Sequence, residues 1–171
     1  MQLSSRWVRV ERQESASCPA LSLDRSAAGA FQSYVNGYLG FSVKRAGILY
    51  GRFLEDGTAM VDAIFEPRQQ GSALSVAVEP GTREEEIADS VATMLGMQRV
   101  GWVFSQSIAE REHVLSAEEV VQMARFQQAC GGGKGVTAVV SLWEEEEGKH
   151  VVHFEAFQVT RNTAEQSRES G

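Results

Sequence analysis

Apolar residues recur along this chain in two rhythms, and the switches between them mark out its elements. Ala27, Ala30, Phe31, Tyr34, Val35, Tyr38 and Leu39 fall three or four residues apart, the spacing of one buried stripe on a helix, and Asp24 stands where a side chain would cap it. Apolar runs over 43–54 and 59–65 flank Glu55-Asp56-Gly57-Thr58, a turn sequence, and so predict a hairpin whose second strand ends at Pro67. Residues 75–78 predict a short strand before Pro80-Gly81. Thr82-Arg83-Glu84-Glu85 has the capping-box pattern of a helix running toward Leu95 and stopping at Gly96, with Ile87, Val91, Met94 and Leu95 as its single apolar face. A strand over 99–105 follows, then a second capping box at Ser116-Ala117-Glu118-Glu119 opening a helix that packs Val120, Met123, Ala124 and Phe126. Gly131-Gly132-Gly133 breaks the chain before strands over 136–143 and 150–159, with Glu144 to Glu147 as a solvated hairpin tip. Near the N-terminus, Trp7-Val8-Arg9-Val10-Glu11 predicts a strand and residues 13–23 a loop carrying Pro19; residues 160–171 read as a polar, disordered tail.

Strands and helices mixed with hairpin connections predict an α+β domain with a mixed, mainly antiparallel sheet flanked by helices. The expected organisation is a strand and loop leading in over 1–24, the folded domain over 25–160 and a tail over 161–171.

At 171 residues and 43% hydrophobic content, the chain is long and apolar enough to bury a core without disulfides or metals. Its 16 basic and 23 acidic residues give a net charge of -7, which disfavours nucleic acid and anionic membranes as partners. The N-terminal residues lack the apolar core of a signal peptide and no run approaches a membrane span, so a soluble intracellular protein is expected. Cys18 and Cys130 form no Cys-x-x-Cys pair, leaving reduced cysteines or one disulfide. Gly131-Gly132-Gly133-Lys134-Gly135 lacks the spacing and the Ser or Thr of a phosphate loop. His153 has no nucleophile in its sequence context and reads as structural, with His113 and His150 in loops.

One arrangement carries chemistry by what it lacks. Val100-Gly101-Trp102-Val103-Phe104-Ser105-Gln106, upstream of Leu115-Ser116-Ala117-Glu118-Glu119 and preceded by Gly47-Ile48-Leu49-Tyr50-Gly51, resembles the frame of the JAMM metalloproteases, the zinc-dependent class of MPN (JAB1/MPN-like) domains. In that resemblance Lys44 falls on the catalytic glutamate, Phe104 and Gln106 on the two histidines, and Glu119 on the aspartate if two extra loop residues are allowed. A catalytic zinc needs about three protein ligands and an open position for water. Phenylalanine has no lone pair, glutamine is a poor substitute for imidazole, and a protonated lysine is no base. The expected result is a non-enzymatic domain with no cofactor.

Further strings, Leu49-Tyr50-Gly51-Arg52, Ile64-Phe65-Glu66-Pro67, Leu95-Gly96-Met97-Gln98-Arg99, residues 136–140 and Val152-His153-Phe154-Glu155-Ala156-Phe157-Gln158-Val159, resemble the MPN domain of the nuclear protein localisation 4 (NPL4) family. Phe31-Gln32-Ser33-Tyr34-Val35 and Val43-Lys44-Arg45 resemble its plant and green-algal branch most. The resemblance implies a substrate-recruiting adaptor of the AAA-ATPase segregase, of the valosin-containing protein type. It would bind ubiquitin or ubiquitinated proteins together with the ubiquitin fusion degradation 1 partner, in cytoplasm and nucleus and at the cytosolic face of the endoplasmic reticulum. Members of the family carry a ubiquitin-like domain, often zinc fingers and a helical domain outside this region, and the resemblance assigns ATPase attachment mainly to those parts, so direct contact with the ATPase is not expected of this region. The alternative is a structural MPN scaffold of the proteasome-lid, signalosome or initiation-factor type.

If the catalytic cleft persists as a groove, Trp102, Phe104, Ser105, Gln106 and Ser107 are its candidate residues. Trp102 and Phe104 share a strand face, which suits either aromatic anchors or core packing. Gln106 at the strand end offers an amide to an extended peptide backbone or to its own loop. Lys44 and Arg45 would attract acidic segments or stand as solvated charges.

Overall fold

The computed structural model describes residues 13–38, 40–106, 114–146 and 149–160. The strand expected over 7–11, the tail, Ser107 and His113 lie outside them. A six-stranded sheet has the order β1-β3-β2-β6-β7-β8, where β1 is Leu21–Leu23, β2 Ala46–Phe53, β3 Ala59–Phe65, β6 Gln98–Gln106, β7 Val136–Glu146 and β8 Lys149–Phe157. A separate small hairpin pairs β4 (Gln69–Gly71) with β5 (Val76–Val78). The helices are α1 (Arg25–Asn36), α2 (Arg83–Met94) and α3 (Ala117–Ala129). β1 with β3 and β6 with β7 run parallel, and the other pairs of the large sheet are antiparallel. The α+β class with a mixed sheet flanked by helices is the one expected.

Strand alternation sends side chains to two faces and fixes which helix covers each. On one face α1 packs Phe31 and Val35 into a cluster with Leu49, Val61 and Val103. On the other, α3 packs Met123 against Trp102, Phe104 and Val139, while α2 places Ala92 against Ile48 and Tyr50. The anticipated N-caps form, with one of the two expected capping boxes reciprocal: Asp24 accepts from Ser26 and Ala27, Thr82 accepts from Glu85 N while the Glu85 carboxylate turns to Gly81 N at 2.8 Å, and Ser116 with Glu119 closes a full box.

Four sequence expectations are corrected. β2 begins at Ala46, so Lys44 precedes the strand. Short β1 and β4 lie where no strand was expected; β1 is held by parallel pairing to β3, a long-range contact that local patterning does not reveal. Glu144 to Glu146 continue β7 instead of forming the hairpin tip. Most consequentially, Ile87, Val91, Met94 and Leu95 are exposed. The face of α2 turned to the sheet is instead Glu85, Ala88, Asp89 and Ala92. Small alanines let the helix approach Tyr50, and Arg99 on β6 binds Glu85 at 2.7 Å and Asp89 at 2.7 and 2.5 Å. The apolar stripe is thereby turned roughly a third of a turn away from the sheet. Both cysteines are buried and free, and burial pushes the Cys130 thiol up to about 11.

Candidate functional site

The C-terminal end of β6, the N-terminus of α3, the segment before β2 and the β4–β5 hairpin converge on one point. Lys44 lies two residues before Ala46, on the same side of the chain as Ala46 and Ile48, and so points toward the face covered by α3. The small hairpin holds this segment down. Lys44 N donates to Ser72 O at 2.8 Å, and the Gln69 side-chain amide bonds both Ala46 N at 2.7 Å and Ala46 O at 2.8 Å. A Cβ on Gly71 would meet the Lys44 carbonyl oxygen at 2.1 Å, so only glycine allows this approach.

The Lys44 side chain is 1% exposed, and its ammonium bonds the Glu119 carboxylate, itself 7% exposed. Oε2 of the same carboxylate accepts from Ser116 N at 2.7 Å. The ammonium also lies 4.5 Å from the centroid of the Phe104 ring, a cation over an aromatic face. The recess lined by Lys44, Phe104, Glu119, Val76 and Gln122 has a volume of only about 10 Å³, room for a single water. Gln106 donates through Nε2 to Val114 O at 2.8 Å, tying the strand end to the segment ahead of α3.

Lys44, Phe104 and Glu119 meet here, while Gln106 turns to Val114. The set does not fit a catalytic zinc: one carboxylate is the sole strong ligand, both its oxygens are engaged, and a cation faces it. Lys44 is also not the solvated charge that sequence suggested. The neighbouring Arg45 stacks its guanidinium 3.8 Å from the Tyr38 ring centroid.

The groove expectation is corrected in part. Trp102 and Phe104 are buried, Trp102 Nε1 donates to Thr137 Oγ1 at 2.8 Å, and its ring stacks on Phe126 with centroids 4.4 Å apart. Both are core residues, since neither can reach a surface ligand. Ser105 is buried with its Oγ accepting from Arg45 N at 2.9 Å. β6 is also flanked on both sides, by β2 through Phe104 and by β7 through Gln106, so no segment can add to its edge. Gln106 is buried too, at 8% exposure, but among the described candidate groove residues it is the least enclosed, since Trp102, Phe104 and Ser105 are at 1% or below. His153 is exposed, with its ring 5.6 Å from that of Trp143.

Residues 45–169 match the family model described as NPL4 family. The chain is 44% identical over 160 residues to NPL4-like protein 2 of Arabidopsis thaliana, covering 92% of this chain and 39% of that protein. The chain belongs to the NPL4 family. NPL4-like protein of Oryza sativa subsp. japonica is 42% identical over 164 residues, with 92% and 40% covered. Nuclear protein localization protein 4 homolog of Dictyostelium discoideum is 33% identical over 156 residues, with 90% and 25% covered. This NPL4 region, of the plant type, thus spans about 40% or less of the relatives' length, and its sheet with three described helices is consistent with an MPN-like fold.

Proposed function

We propose that this NPL4-family domain is a non-catalytic adaptor in ubiquitin-dependent processes. It receives ubiquitin or ubiquitinated proteins and acts with a ubiquitin fusion degradation 1 partner beside an AAA-ATPase segregase, in cytoplasm and nucleus and at the cytosolic face of the endoplasmic reticulum. The observation that carries the reading is the Lys44–Glu119 ion pair under Phe104. It occupies the place where the fold's hydrolytic members would need ligands, and it leaves a binding role as the use of the surface around it. Contact with the substrate segment falls to Gln106 and Ser107 at the strand end, with Trp102, Phe104 and Ser105 supporting them from the core. The folded unit is residues 25–160 with the preceding strand and loop.

The test is affinity purification from cell extract with the 171-residue chain as bait. Recovery of ubiquitin conjugates with the ubiquitin fusion degradation 1 partner supports the reading. Recovery of proteasome-lid, signalosome or initiation-factor subunits in their place would assign a scaffold role. A photocrosslinker at Gln106 then reads the contact: crosslinks to ubiquitin support it, and their absence in a sample that recovers ubiquitin conjugates removes the strand end from the proposal.

A further inference from the structure

The exposed apolar face of α2 forms one wall of a groove, and strand β3 with the segment after the helix forms the other. Ile87, Val91 and Leu95 face Ala63, Phe65 and Met97 across a cavity of about 400 Å³. Met94 and Leu95 at the far end are 77% and 67% exposed. Ile87, Val91, Met94 and Leu95 follow the three- and four-residue spacing with which one helix receives another. An apolar patch of this continuity on a protein surface marks an interaction site. The polar groups that a small-molecule site would need are scarce here: the Tyr50 hydroxyl is already committed to Asp89 Oδ1 at 2.7 Å.

Charge selects among the possible occupants. The charged residues lining the groove are Glu66 and Glu84, both carboxylates. They sit at the end where α2 begins, and Glu86 lies on the same first turn. Arg68 shares Glu84 at 2.9 Å, but that pair is exposed on both sides and worth little. The opposite end, from Met94 through Gln98, carries no charge. A second copy of this chain would bring its own net charge of -7 and the same carboxylates, which disfavours self-association.

We infer that this groove docks an amphipathic helix of a partner protein, lying antiparallel to α2 with Lys or Arg in its last turn. The apolar face of that helix fills the cavity between α2 and β3, and its basic end lies against Glu66 and Glu84. The antiparallel direction brings the negative C-terminal end of the docked helix beside the positive N-terminal end of α2, and basic residues in the last turn are favoured by the docked helix's own dipole. The inference concerns a surface on the face of α2 and does not depend on the occupant of the Gln106 strand end.

The test uses the 171-residue chain and two fluorescein-labelled synthetic helical peptides with the same leucines at i, i+3, i+4 and i+7, one with lysines and one with glutamates in the last turn. Fluorescence anisotropy is expected to show the lysine peptide binding at least about tenfold more tightly. Val91→Ser and Leu95→Ser should each weaken it about tenfold, and Glu66→Gln with Glu84→Gln should narrow the gap between the peptides. Val121→Ser, a change at an exposed position on α3, should alter nothing. Because Val91 and Leu95 are exposed, their variants should melt like the parent, which circular dichroism checks. Equal affinity for the two peptides, no binding of either, or binding indifferent to Val91→Ser would overturn the proposal. So would a concentration-dependent dimer, seen by sedimentation, that Val91→Ser abolishes, since a second copy would then own the groove.

Discussion

Lys44 and Glu119, 75 residues apart in sequence, form an ion pair inside the protein, with the Lys44 ammonium over the Phe104 ring. The carboxylate also serves the helix, because its other oxygen caps α3 at Ser116 N. Burying such a pair gains little over apolar packing, but removing one partner strands a charge away from water. Lys44→Met should therefore destabilise the domain by about 3–5 kcal/mol. Glu119→Gln, which keeps an acceptor for the cap, should also be costly because Lys44 loses its counter-charge. The double variant should be far more stable than the sum of the two predicts. Urea unfolding of the four proteins measures this; additive effects would mean that the two side chains do not act as a pair.

The same pair guards against metal. Restoring imidazoles alone by Phe104→His with Gln106→His should yield no stoichiometric zinc and no cleavage of ubiquitin chains, because Lys44 would still place a cation where the ion must sit. Elemental analysis and a chain-cleavage assay check this. Zinc uptake by that double variant with Lys44 intact would show that the ammonium leaves the site easily.

Much of this arrangement was legible in the chain, and the parts that were not share a cause. The N-cap at Thr82, the capping box at Ser116 and the turn at Glu55 to Thr58 are local, and each lies where its residues predicted, although the Glu85 carboxylate reaches Gly81 N and leaves the Thr82 box half closed. Lys44, Phe104 and Glu119 were singled out by a family resemblance, and their contact is a long-range one that local patterning does not reveal. Nor was the burial of Lys44 expected, although its alternation with Ala46 and Ile48 was a usable signal. The α2 stripe misled because helical periodicity reports that an apolar face exists, not what covers it. The winning contacts were Glu85 and Asp89 on Arg99, two acidic positions one turn apart whose partner lies on another element. Trp102 and Phe104 were open to two readings until the α3 side chains that cover them were located.

The α2 anchor should show in acid. Asp89 is held below the usual carboxylate range by its bonds to Arg99 and then to Tyr50, so the folded protein releases that proton more readily than the unfolded chain. A depressed folded value contributes stability above the unfolded value of about 4, and this contribution is lost as pH falls through the folded value. Its size is limited because the Asp89 side chain is 43% exposed. Thermal melts below about pH 4 should fall less steeply for Asp89→Asn than for the parent, with Asp89→Asn already less stable at neutral pH. Parallel melting curves for the two proteins across that range would remove Asp89 from the acid transition.

The glycine of the Val100-Gly101-Trp102 string has a structural reason. β6 and β7 run parallel there with Gly101 opposite Val136, and a Cβ on Gly101 would stand 1.9 Å from the Val136 carbonyl oxygen and 2.9 Å from Val136 N. Those are backbone atoms in the middle of the sheet, so no side chain can swing aside to make room. Gly101→Ala must push β7 away from β6, and β6 carries both Trp102 and Phe104 into the α3 core. The expected loss is at least about 1–3 kcal/mol, the cost of overpacking a core. The displacement should also disturb the stack of Trp102 on Phe126, so near-ultraviolet circular dichroism or tryptophan fluorescence should change along with the urea midpoint. Gly29→Ala, on α1 with nothing within 4 Å of the added methyl, serves as the control and should be neutral or stabilising by up to about 1 kcal/mol, as for alanine over glycine inside a helix. A Gly101→Ala protein as stable as the parent, with an unchanged tryptophan signal, would mean that the β6–β7 contact is looser than the backbone geometry requires.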